Sequence, residues 1–158
     1  MGRELRKVPA EWQHPKDENG NYIPLLGRSF SEDLAEWHQE ELMWAKGFRK
    51  GFKMLGEKEW IKKEPKHKNI SFVDWKGEKP QKEWYMPQWK EKSKTCMQLY
   101  QTTSEGIPIT PVFKLTEFDE LCKYAAKNCY IFADYRLTEK QWKKALLDDY
   151  EQLTNTNT

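Results

Sequence analysis

Apolar positions recur at helical spacing in three stretches of the chain and alternate in another. In "SFSEDLAEWHQEELMWAKGF", Phe30, Leu34, Trp37, Trp44 or Ala45, and Phe48 repeat at helical spacing; Ser29 or Ser31 can cap the segment, and acids fill its first turn. "TEFDELCKYAAKN" places Phe118, Leu121, Cys122 and Ala125 together, with Thr116 as the expected cap, Asp119 at the capping-box position and Asn128 as the stop. "TEKQWKKALLDDYEQL" turns Trp142, Ala145, Leu146 and Tyr150 inward and carries a capping box at Thr138 and Gln141. Over Thr95–Thr103 the period drops to two, which predicts a strand, and "CYIFADY" predicts a second, shorter one.

The rest of the chain is less regular. Prolines at 9, 15 and 24 and a Gly-Asn turn signal make residues 1–28 an extended arm, pinned by Trp12, Tyr22 and Leu25. Residues 46–94 show no sustained period, only single aromatics among lysines. Since a structureless run of that length is improbable in a compact domain, a short helix is expected near Gly56–Lys63 and a strand near Ile70–Trp75. These elements together predict one α+β domain over 1–158: a small, mainly antiparallel sheet covered by about three helices. The strand-turn-helix-strand-helix core would occupy 95–153, with the arm and the basic, aromatic-rich insertion 46–94 wrapped over it.

Composition shifts this picture in two ways. Aliphatics are few, but eight Trp, seven Tyr and seven Phe supply large anchors, so the core should be aromatic-heavy. The net charge of +2 conceals a central block: residues 46–94 hold fifteen bases against seven acids, while both flanks are acidic. Three cysteines, Cys96, Cys122 and Cys129, form no C-x-x-C pair and predict reduced thiols rather than a disulfide frame or a closed zinc site. The charged start "MGRELRKVP" lacks the apolar run of a secretory signal, and no window reaches the length of a membrane span, so a cytoplasmic protein with no membrane partner is expected.

Candidate chemistry concentrates in "LYQTTSEGIPITPVF", Leu99–Phe113. Tyr100, Thr102, Ser104, Glu105 and Gly106 offer hydroxyls, a carboxylate and a hinge that could line a pocket. However, Ser104 lacks the flanking glycines of a nucleophile elbow, and no visible base or third group orients it. Gly106 reads better as a turn, and Pro108 and Pro111, which cannot donate to a ladder, as an edge or extended segment. His14, His38 and His67 stand at no metal-ligating spacing, and no glycine-rich phosphate cradle occurs, so no metal and no cofactor are expected. The basic block remains. Lys62, Lys63, Lys66 and Lys68, with Trp75, Trp84, Tyr85 and Trp89, form a candidate surface for a protein, or for nucleic acid through phosphate neutralisation and base stacking.

The corner also carries a resemblance. Tyr100, Thr102, Ser104, Glu105, Gly106, Pro108, Ile109, Thr110, Pro111, Val112 and Phe113, followed by Thr116, Glu120 and Leu121, resemble a motif of uncharacterised tailed-bacteriophage accessory proteins: Y-x-T-x-S-E-G-x-P-I-[ST]-P-V-F, then T-x-x-x-E-L. "RKVPAEWQHPKDENGNYIPL", "SEDLAEW" and "YMPQW" are similar to further parts of those proteins. Some relatives carry C-x-x-C elements upstream; this chain has none, so no metal site is carried over. The resemblance implies a phage origin and action in the host bacterial cytoplasm. The expectation is a non-enzymatic protein that modulates a host protein or ribonucleoprotein, such as a CRISPR-type defence component. The alternatives are a nucleic-acid-binding accessory factor using 46–94, and a small enzyme or nucleotide-binding protein with its site around 100–105.

Overall fold

In the strand β4, Cys96–Gln101, the first five residues are all buried, so this is a strand covered on both faces rather than a half-solvated one. The computed structural model describes residues 2–103 and 106–155, arranged as two compact units: 1–27 with 86–158, and Arg28–Tyr85. β4 organises the first unit. Along one edge it pairs antiparallel with β1, Arg3–Val8, in a register that sets Leu5 against Leu99 and Arg6 against Gln98. The first residues of the expected arm are therefore a fully paired strand, all six of β1 standing opposite a residue of β4. Along the other edge come β5, Ile107–Pro108, and β6, Phe113–Lys114.

Between β5 and β6 the ladder is completed by substitutes. The Ile109 N–H donates to the Leu99 carbonyl, the Thr110 hydroxyl accepts from Leu99 N–H, and the Gln98 amide donates to the Thr110 carbonyl. Pro108 and Pro111 are accommodated because this side of β4 is a broken edge that asks no amide proton of them.

Two helices cover one face of this sheet. α3, Phe118–Asn128, and α4, Glu139–Thr154, bury Phe118, Leu121, Cys122, Ala125, Trp142 and Leu146 against Leu5, Met97 and Leu99. The capping box at Thr138 and Gln141 is present as its sequence specifies. Thr116 does not cap α3. Glu117 takes that position, its carboxylate accepting the Lys114 N–H at 2.7 Å instead of an amide of the helix. "CYIFADY" forms a tight turn closed by an isolated bridge, Phe132 to Tyr135, with Ala133 at φ +50°; the expected strand finds no neighbour to extend against.

The second unit is built on α1, Phe30–Ala45, which Ser29 caps by accepting the Glu32 N–H. Trp37 and Trp44 pack with Phe72, from the short helix α2, Phe72–Lys76, and Ile70. α2 replaces the strand expected near Ile70–Trp75: Ser71 caps it by accepting the Asp74 N–H, and Gly77 ends it. Conversely, the helix expected near Gly56–Lys63 is a hairpin arm. β2, Phe48–Lys50, pairs antiparallel with β3, Trp60–Lys62. Among the described residues no helix is long and apolar enough to cross a membrane.

Candidate binding site

The unit containing β4 holds a buried polar network on the sheet face opposite the helices. Tyr100, fully buried, carries a hydroxyl that accepts from Trp12 Nε1 and faces His14 Nδ1 and Gln98 Oε1, each at 3.0 Å. The Arg6 guanidinium lies 4.3 Å over the Tyr100 ring and donates to the Leu25 carbonyl at 2.8 Å. Burial pushes the Tyr100 phenol up to about 12, so it stays protonated and works as a hydrogen-bonding post. Above it, Trp12, His14, Tyr22, Gln98, Pro111 and Val112 line an open cleft of about 570 Å³. Its inner polar groups bond to one another.

The corner residues divide accordingly. Tyr100 is the centre of this network; Thr102 is half-buried and donates its N–H to the Gly2 carbonyl. Gly106, at φ +116°, accepts from Leu25 N–H; a Cβ there would overlap the Leu25 carbonyl and the Arg6 side chain. Ser104 and Glu105 lie outside the described residues. From the sequence, His14 in the arm is expected to be solvent-facing or hydrogen-bonded rather than a ligand; it is hydrogen-bonded, but its partner Tyr100 was not foreseen. The missing signal was the pairing of β1 with β4, which sets the segment after β1 over Tyr100.

The basic-aromatic residues are divided between the units. Trp89 belongs to the first, half-buried with its ring edge-on to Trp12 at 4.8 Å. The others lie in Arg28–Tyr85. Tyr85 is buried and donates its hydroxyl to Asp33 at 2.7 Å, so it acts as an internal tie. Lys63 sits 4.1 Å over the Trp44 ring, and Lys66 pairs with Glu64. Lys62 and Lys68 are exposed, as is Trp84. Trp75, 43% exposed, stacks on Trp44 at 5.3 Å with its plane tilted by 22° and meets His67 edge-on.

The most exposed apolar side chains were not singled out by the sequence. Among the described residues, the two highest exposures of large apolar side chains, Met54 at 89% and Leu55 at 76%, fall on the loop joining β2 to β3, which also carries Phe52 at 60%. This loop is built, not slack. The Glu57 carboxylate accepts the Phe52 N–H at 2.6 Å, Gly51 N–H donates to Glu59 at 2.7 Å, and a turn of 3-10 helix over Lys53–Leu55 ends on Gly56 at φ +73°. The available signal was "GFKMLG", apolar residues held between two glycines, which reads as a turn that presents side chains.

No protein-family model, curated protein or solved structure matches this chain. Among the described residues no group of three or more His, Cys, Asp or Glu side chains is arranged to hold a metal ion.

Proposed function

We propose that this chain is a non-enzymatic accessory protein, of the tailed-phage type its corner motif resembles, that acts by binding and modulating a host protein in the bacterial cytoplasm. The observation that carries the reading is the β2–β3 loop. Three large apolar side chains stand in solvent on a hydrogen-bonded scaffold, and such exposure has a hydration cost that a docking partner removes. Preorganisation adds to this: the loop's backbone is already ordered, so binding need not order it. A bacterial defence component is the kind of partner the resemblance suggests.

A pull-down from host lysate, with and without nuclease, tests it. The expected result is a discrete protein band that survives nuclease and is lost when Phe52, Met54 and Leu55 are all changed to Ser in a chain of unchanged circular dichroism. A band lost to nuclease, or retained by the Ser variant, overturns the reading.

A further inference from the structure

Within the unit Arg28–Tyr85 the loop forms one wall of an open groove of about 500 Å³. Phe52, Met54 and Trp75 supply its apolar lining. Lys50, Lys53 and Lys76 also line it. Two of these lysines are already engaged: Lys76 with Glu40 at 3.2 Å and Lys50 with Glu59 at 3.9 Å. Lys53 is exposed and has no ion pair among the described residues.

Resting on the protein-docking reading above, we propose that this groove takes an acidic segment of the partner carrying an aromatic or branched apolar anchor. The anchor seats against Phe52 and Trp75, and its flanking carboxylates meet Lys53 and the groove's other ammonium groups. Three features choose this occupant. The lysine lining is complementary to acid, which steers encounter and fixes register. Trp75 has its stacking partner Trp44 held behind it, which makes it a rigid wall of the kind that anchors interfaces. The groove's lining is mixed, with Phe52, Met54 and Trp75 beside its lysines and a Glu40 carboxylate already paired with Lys76, which suits a peptide alternating acidic and apolar residues better than a polymer with a phosphate at every step.

The test uses the full-length chain and a fluorescein-labelled synthetic peptide of Asp and Glu carrying a Phe-x-x-Leu pair, read by fluorescence anisotropy. Controls are the same peptide with Phe and Leu changed to Ser, single-stranded oligothymidylate, and vesicles containing anionic lipid. Expected: the peptide binds, its Ser version binds about tenfold or more weakly, and Phe52→Ser in the protein costs a similar factor. Lys53→Glu should weaken binding and flatten its salt dependence. Both side chains are exposed, so neither change removes core packing. Absence of peptide binding, equal binding by Phe52→Ser, or tighter loop-dependent binding of the oligonucleotide or vesicles overturns the proposal. If the peptide fails while the loop's Ser variant still loses the host band, docking stands and only the chemistry assigned to the partner falls; if the band persists in that variant, docking itself falls.

Discussion

Tyr100 has one hydroxyl proton and faces two acceptors. Gln98 Oε1 is one, because the same amide's NH2 is committed to the Thr110 carbonyl at 2.8 Å. The other is His14 Nδ1: the carbonyl of Ile23, 2.6 Å from Nε2, can only accept, so a neutral imidazole carries its proton on Nε2. A second ring proton would satisfy every group, yet desolvation opposes the charge, and although the Ile23 hydrogen bond favours it, the nearby Arg6 opposes it too; the His14 pKa is lowered. The sign follows. The unfolded chain takes up this proton first, so the contribution is present above the ordinary value of 6.5 and is lost as pH falls from there through the lowered native value. Urea unfolding between about pH 8 and pH 5 should show stability declining toward acid, with a shallower slope in His14→Gln, whose side chain does not titrate. An unchanged slope would exclude this origin. Tyr100→Phe leaves the Trp12 N–H without its acceptor and Gln98 Oε1 without its donor, and should cost about 1–3 kcal/mol in the same measurement.

At the level of elements, the two caps make a paired test. Thr138→Ala removes the hydroxyl that accepts the Gln141 N–H and should cost about 1 kcal/mol, whereas Thr116→Ala, at an exposed position outside α3, should fall within about 0.5 kcal/mol of the parent. Thermal or urea melts decide it, and equal costs would mean that Thr116 caps after all. The contrast shows what was legible. α1, α4 and β4 were readable because long periods and side-chain caps agree with where tertiary packing puts them. Three-residue strands such as β2 and β3 carry no period at all, so only their pairing defines them. α2 was readable in principle: "SFVDWKG" has its Ser cap, an acid at the bonded position and a Gly stop, but its β-branched and aromatic residues favour a strand. Gly51 is the position where the hairpin has no latitude, since a Cβ there would overlap the Lys58 carbonyl, which cannot move like a flexible side-chain tip. Gly51→Ala should therefore disrupt the β2–β3 hydrogen bonds, seen as lost amide protection over 48–62, and abolish capture by the loop. Retained protection would show that the close approach is not needed.

At the scale of the molecule, the basic block 46–94 turned out to be no structural division. The units change over at Arg28 and Tyr85, placing α1 with the hairpin and Trp89 with β4, because charge reports on partners while contacts define units. The units also differ in what holds them. Among the described residues, the core around β4 joins ten buried side chains, including the fully buried Met97, Leu99 and Leu121; the cluster in Arg28–Tyr85 joins three, Trp37, Trp44 and Phe72, with the half-buried Ile70 against them. Opening free energies should follow that difference, since local stability tracks buried apolar contact. β4 is bonded on both edges and covered on both faces, so its amides should exchange slowest of all, at rates set by the largest opening. Those of β2 and β3, half-buried for the most part and three residues long, should exchange through smaller local openings. Saturating acidic peptide should then slow exchange over 48–62 by mass action while leaving β4 unchanged, because binding stabilises only the openings that destroy the site. Hydrogen exchange with and without peptide reads both effects, and equal protection of β4 and the hairpin in the free protein would overturn the ranking.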